Sequence, residues 1–273
     1  MLRHSIHAAF KVFLLLIATQ FLACSHNPIT GRSQLSLFPE STLQQQALTQ
    51  YRTFLSQNKV ASETINKDAQ MVKRVGAKIA ESISDYYTKK GLSKELQGYK
   101  WEFNLVDKNE INAWCMPGGK VVVYTGLLSV TQNEAALAVV LGHEITHALA
   151  HHGNERMSQA VVTQGLSVAG DIFTRNKEQA NTIFKSVFIP GAQVGFLLPN
   201  SRKHEYEADR FGMMFSAMAG YDPREAVAFW KRMAAAGGNK PPEFLATHPS
   251  DQNRVAQLQK YMDEALRYYH PAH

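Results

Sequence analysis

A dense apolar run, Glu134-Ala-Ala-Leu-Ala-Val-Val-Leu-Gly-His143, predicts a buried helix over about Thr131–His152, with Asn133 or Thr131 available as its cap. The same period recurs in Lys67–Tyr87, where Met71, Val72, Val75, Ile79 and Ile83 fall on one face, and a helix capped by Ser41 or Thr42 runs to about Gln57. Between Lys100 and Thr125 the period becomes two. Trp101, Phe103 and Leu105 alternate with polar residues, and Val121–Tyr124 is a β-branched run ending in an aromatic. Pro117-Gly118-Gly119 separates Ile111–Met116 from Lys120–Thr125 and predicts a hairpin-like pair. Further helices are expected at about 155–174, 177–187, 202–219, 223–236 and 250–268. The fold class expected is α+β, mainly α, with one small sheet.

The first 23 residues follow another pattern: Arg3 and Lys11 precede the apolar run Val12-Phe-Leu-Leu-Leu-Ile-Ala18, as in a secretory signal peptide. The run is short for a membrane span, which takes about 20 apolar residues; a retained N-terminal anchor is the alternative. Gln20-Phe-Leu-Ala-Cys24 resembles the lipobox of bacterial lipoproteins, which makes Cys24 the candidate acylation site. Ser25, rather than Asp, is the pattern that implies sorting to the outer membrane. Turn formers fill Asn27–Pro39, so the expected organisation is a leader over 1–23, a lipid-anchored tether over 24–40 and a single domain over 41–273. In Val161–Pro199, charged residues such as Asp171 and Lys185 interrupt the apolar stretches, so amphipathic helices are expected there.

Composition narrows the classes further. A chain of 273 residues, 45% hydrophobic and 19% charged, can bury a substantial core, which excludes a disulfide-stapled mini-fold, a disordered chain and a polytopic membrane protein. The cysteines are Cys24 and Cys115, so a lipidated Cys24 leaves Cys115 without a partner. The formal charge of +6 falls to +4 without Arg3 and Lys11, too small and scattered an excess to indicate nucleic-acid binding.

The chemistry gathers on the HEITH run. A helix places residues i and i+4 on one face, so His143 and His147 can offer two imidazole nitrogens to one Zn²⁺ while Glu144 lies beside the open position. Zinc acidifies a water, and a carboxylate can take its proton as the water attacks a peptide carbonyl. A catalytic zinc site takes three protein ligands. The metzincin solution is excluded because Ala150 and Gly153 stand where that class has glycine and histidine. Downstream, Glu205 and Asp209 share a helix face at i, i+4, which is the gluzincin arrangement. Glu205 is then the third ligand, and Asp209 accepts the N–H of a liganding histidine. His204 is the rival ligand, and a solvated charged helix is the bland alternative. Glu207 is expected to point elsewhere, and His151 and His152 to be supporting or solvent-facing.

These residues resemble the HtpX-like and CAAX-prenyl-protease metallopeptidases, metallopeptidase family 48, and within it the bacterial lipoprotein and Oma-type branch. Asn27-Pro-Ile-Thr-Gly-Arg32 looks like the branch's N-terminal signature; Asn112-Ala113 with Pro117–Leu128 looks like its edge strand and following turn. His143–His147, Ser201–Asp209 and Thr247-His-Pro-Ser-Asp251 with Arg254 look like its active-site blocks. The resemblance implies a gluzincin domain whose small sheet carries an edge strand beside the zinc helix, with one Zn²⁺ per chain on His143, His147 and Glu205 and with Glu144 as base. It implies that His248 lies near the metal, as oxyanion stabiliser or as an inhibitory ligand. It gives Val121, Val122, Val123 and Tyr124 a role in holding extended substrate along an exposed edge; a buried core strand is the other reading. The function implied is a zinc metalloendopeptidase acting on unfolded or misfolded proteins of the cell envelope, as a periplasm-facing outer-membrane lipoprotein. The alternative is a non-proteolytic chaperone or assembly factor that keeps the zinc.

Overall fold

A computed structural model describes residues 24–163, 177–188, 201–236, 242–248 and 253–271. The expected leader and parts of the expected helices at 155–174 and 250–268 lie outside the described residues. In chain order the elements are β1 (Cys24–His26), β2 (Ser33–Leu35), α1 (Glu40–Gln57), α2 (Lys67–Lys89), β3 (Glu102–Val106), β4 (Ala113–Met116), β5 (Lys120–Tyr124) and α3 (Thr125–Thr131). They continue with α4 (Glu134–Leu149), α5 (His152–Thr163), α6 (Lys177–Phe188), α7 (Arg202–Met218), α8 (Glu225–Ala235), α9 (Glu243–Thr247) and α10 (Arg254–Leu266). The mainly helical α+β class is as expected.

The helix expected over about Thr131–His152 is present as α4, capped by Asn133 and bounded at both ends by a left-handed residue. Gln132 adopts a left-handed conformation (φ 65°) and closes α3 by donating its N–H to Leu128 O, after which the Asn133 side chain accepts from Ala136 N and starts α4. At the other end His151 is also left-handed (φ 54°), so α5 begins at His152 in a new direction. That reversal reaches the site described below.

The three-stranded sheet has the order β3-β5-β4, with β3 parallel and β4 antiparallel to β5. The expected hairpin is present, its turn carried by Gly118 and Gly119 at φ near 80°. The strand expected to offer an exposed edge is corrected. Val121–Tyr124 lies in β5, the central strand, with β3 on one side, β4 on the other and every residue buried. Val121 and Val123 face a core shared with α2, α4, α7 and α8, while Val122 and Tyr124 face a second core under α1, α5 and α6. A strand buried on both faces carries an unbroken apolar run rather than an alternating one. The edge strands are β3 and β4, and of these β4 packs beside α4.

Residues 27–39, expected as a tether, are packed onto the domain. The Asn27 side chain donates to Leu149 O at 3.0 Å, Leu37 N donates to Ser158 Oγ at 2.9 Å, and Phe38 is buried. Among the described residues no helix is long and apolar enough to cross a membrane.

Candidate metal centre

Two glycines set the distance between the helices that build the site. A Cβ on Gly142 of α4 would lie 2.5 Å from Gly212 O in α7, and one on Gly212 would lie 2.6 Å from His143 N. The two backbones are therefore in contact, which carries the i, i+4 pair His143/His147 against the i, i+4 pair Glu205/Asp209. The Ser201 side chain accepts from His204 N and starts α7 just before these acids.

The donors converge. His143 Nε2 lies 3.1 Å from His147 Nε2, 3.2 Å from His248 Nδ1 and 3.4 Å from Glu205 Oε2, while Glu205 Oε1 lies 3.5 Å from His147 Nε2 and 3.1 Å from His248 Nδ1. Donors about 2.1 Å from a zinc ion at tetrahedral angles stand about 3.4 Å apart, so the spacing fits a single small cation. The four residues are all buried, and one donor atom from each lies within 4.8 Å of the others.

Proton accounting points the same way. His143 Nδ1 donates to Asp209 Oδ1 at 2.9 Å, and His147 Nδ1 donates to His152 Nδ1 at 2.8 Å. Both Nε2 atoms are then lone-pair donors facing each other, which calls for a cation or a proton between them. Burial opposes a proton on His143, but Asp209 and Glu205 outweigh it and raise its pKa to about 9, whereas burial holds His147 well below its ordinary value. Burial also disfavours ionised Glu205, but His248 and Arg254 outweigh it and keep the carboxylate ionised, the form that binds a metal.

Asp209 is gripped in turn by Arg254, through Nε to Oδ2 at 2.9 Å and Nη2 to Oδ1 at 2.8 Å, and Arg254 Nη1 lies 3.0 Å from Glu205 Oε2. Arg254 is 1% exposed, and its guanidinium sits 3.3 Å from the centroid of the Trp230 ring. Glu144 faces outward from the donors into a cleft walled by Ala113–Cys115 of β4 and by His147, Arg156 and His248. Its Oε1 lies 3.3 Å from His248 Nε2, and burial raises its pKa.

The structure thus brings together His143, His147, Glu205 and His248, with Asp209 and Glu144 beside them. It does not bring in Val121–Tyr124, and Cys24 stands apart in β1, paired with Leu35. His204, the rival ligand, instead donates through Nε2 to Glu155 at 2.9 Å. His151 lies beside Glu40. Glu207 and His152 carry more than the spacing implied, since His152 accepts from His147 and donates to Glu207 at 2.9 Å. On an uninterrupted helix a residue five positions beyond His147 would be turned away from it, and the left-handed His151 removes that restriction.

The family model described as Peptidase family M48 matches residues 66–262. Similar curated proteins include the mitochondrial metalloendopeptidase OMA1 of Arabidopsis thaliana, 36% identical over 65% of this chain and 35% of the relative. The mitochondrial metalloendopeptidase OMA1 of Homo sapiens is 31% identical over 93% of this chain and 49% of the relative. The beta-barrel assembly-enhancing protease of Yersinia pestis is 34% identical over 57% of this chain and 33% of the relative. The chain spans between about a third and a half of the length of these relatives.

Proposed function

The chain belongs to peptidase family M48, and from that premise we propose that it is a zinc-dependent endopeptidase in which His143, His147 and Glu205 hold the metal and Glu144 is the base. The observation that carries this reading is the convergence of two imidazoles and a carboxylate at tetrahedral spacing, with a buried glutamate between them and an open cleft. Bound there, zinc supplies a Lewis acid that polarises the scissile carbonyl and acidifies the attacking water.

The protein's own groups do the rest. Glu144 takes a proton from the attacking water and passes it to the departing amine; a carboxyl whose pKa burial has raised suits both steps. Asp209 keeps the proton of His143 on Nδ1, so that Nε2 faces the metal position. Extended substrate lies along the free edge of β4, with main-chain hydrogen bonds supplying affinity with little demand on sequence. That suits unfolded or misfolded protein substrates. The N-terminal leader pattern and the Ala23-Cys24 junction support placement in the cell envelope through a lipid on Cys24; loss of labelled palmitate incorporation in Cys24→Ala checks this.

A second reading, a chaperone or assembly factor with a structural metal, draws on His248, which raises the donor set to four as in closed sites. Glu144 favours the enzyme, since a closed structural site has no use for an acid facing a cleft. Casein digestion decides between them. Glu144→Gln is expected to retain zinc and lose activity by about 10³-fold, and a chelator is expected to abolish activity in the parent. Hydrolysis that survives both treatments sinks the peptidase reading.

A further inference from the structure

Behind each histidine on α4 a hydrogen-bonded path leads to a carboxylate gripped by an arginine. For His143 the path is short: Asp209 and then Arg254. For His147 it is longer. His147 Nδ1 donates to His152, His152 Nε2 donates to Glu207 Oε2, and Arg32 donates to Glu207 through Nε at 2.8 Å and Nη2 at 3.2 Å. The same guanidinium takes both oxygens of Glu155, at 2.8 and 2.7 Å. Glu155 in turn accepts from His204, whose ring is stacked on His152 with centroids 4.3 Å apart. One arginine therefore anchors the acceptor of His152 and, through Glu155, the ring packed on its face.

The direction of each hydrogen bond follows from the carboxylate, which can only accept. Glu207 accepts from His152 Nε2, so Nδ1 of that ring is left with a lone pair, and this fixes the His147 proton on Nδ1 and its lone pair on Nε2. The segment that delivers Arg32 is itself built to hold it. Asn27 Oδ1 accepts from Ile29 N and Thr30 N, Asn27 N donates to Arg32 O, and Gly31 turns the chain at φ 67°. Asn27 Nδ2 ties this turn to Leu149 O, two residues beyond His147.

We propose that Arg32 is a positioning residue of the metal centre. By holding Glu207 it sets, through His152, the tautomer and orientation of His147. The N-terminal segment is then a working part of the zinc site, although it precedes residues 66–262, which the family model matches. This rests on the zinc reading above.

The test measures zinc dissociation constants by competition with a chromophoric chelator, alongside circular dichroism of each metal-free protein. Arg32→Gln is expected to weaken zinc binding by about 10- to 100-fold, the usual range for groups that orient a ligand, and Arg32→Lys to recover part of the loss. His152→Ala is expected to weaken binding similarly, and the Arg32→Gln/His152→Ala double variant to be no weaker than His152→Ala alone. Combined with Asp209→Asn, by contrast, the Arg32→Gln loss should multiply, because the two supports are separate. Unchanged zinc affinity in Arg32→Gln, or losses that multiply between Arg32 and His152, overturns the proposal. A parent protein that binds no zinc overturns the zinc reading itself, a result visible before any variant is made. Should Arg32→Gln fail to fold, Glu207→Gln carries the same cycle with His152→Ala, and unchanged affinity there is equally fatal.

Discussion

His248 stands where its two nitrogens answer to different partners: Nδ1 lies 3.1 Å from Glu205 Oε1, and Nε2 lies 3.3 Å from Glu144 Oε1. In that position it fills the fourth corner of the donor set and covers the base. A resting state closed in this way predicts that His248→Ala raises basal casein hydrolysis several-fold while weakening zinc binding. Lower kcat with unchanged zinc content would instead assign His248 to oxyanion stabilisation. No local pattern around Thr247-His-Pro fixes this position. The residue reaches the centre because α9 is held to the loop before β4, with Phe244 N donating to Ile111 O, while the Phe244 ring lies beside His143 and is stacked on His248.

The crossing of α4 and α7 at Gly142 and Gly212 carries the site. In an exposed helix, Gly→Ala stabilises by roughly 1 kcal/mol. Here the added carbon meets backbone atoms, which cannot rotate away, and overpacking costs about 1–3 kcal/mol. Sterics therefore win. Gly212→Ala is expected to lower the thermal midpoint of the metal-free protein by roughly 5 °C and to weaken zinc binding, because α7 moves Glu205 and Asp209 away from α4. A variant as stable as the parent would show that the crossing has slack. The β4/β5 exchange belongs to this scale too. Alternation and β-branching mark strands, but whether a strand is central or at an edge depends on how many partners it acquires, and a run apolar at every position favours the centre.

Among the described residues most of the buried charge lies in one connected network, with Lys120 and its partner Glu102 apart from it. Burial opposes ionisation of Glu155, but hydrogen bonds from His204 and Arg32 outweigh it and lower its pKa from the ordinary 4.5 to about 2. The unfolded chain therefore takes up this proton at higher pH than the folded one. Glu155 contributes stability that is fully present above pH 4.5 and is lost as pH falls towards 2. Urea titrations of the metal-free protein over that range should show stability falling with pH, and Glu155→Gln should flatten the fall. An unchanged slope in the variant would place the acid sensitivity elsewhere. The network also joins parts of the chain far apart in sequence, since Arg32 comes from the N-terminal segment and its carboxylates from α5 and α7.

By itself the sequence determined what depends on neighbours three or four positions away: the course of α2 and α7, the paired faces of His143/His147 and Glu205/Asp209, and the glycine turn between β4 and β5. These are set by helix and strand period and by turn chemistry, which act locally. The resemblance places His248 near the metal, though no local pattern does; only the tertiary structure decided that β5 is central, that His248 Nδ1 stands among the donors, and that His152, Glu207 and Arg32 stand behind His147. Each of those depends on a chain reversal or a packing contact whose partners lie far apart in sequence or, for His152, across the left-handed break at His151. Contacts of that kind are fixed by how the elements bury their faces together, not by the period along any one of them.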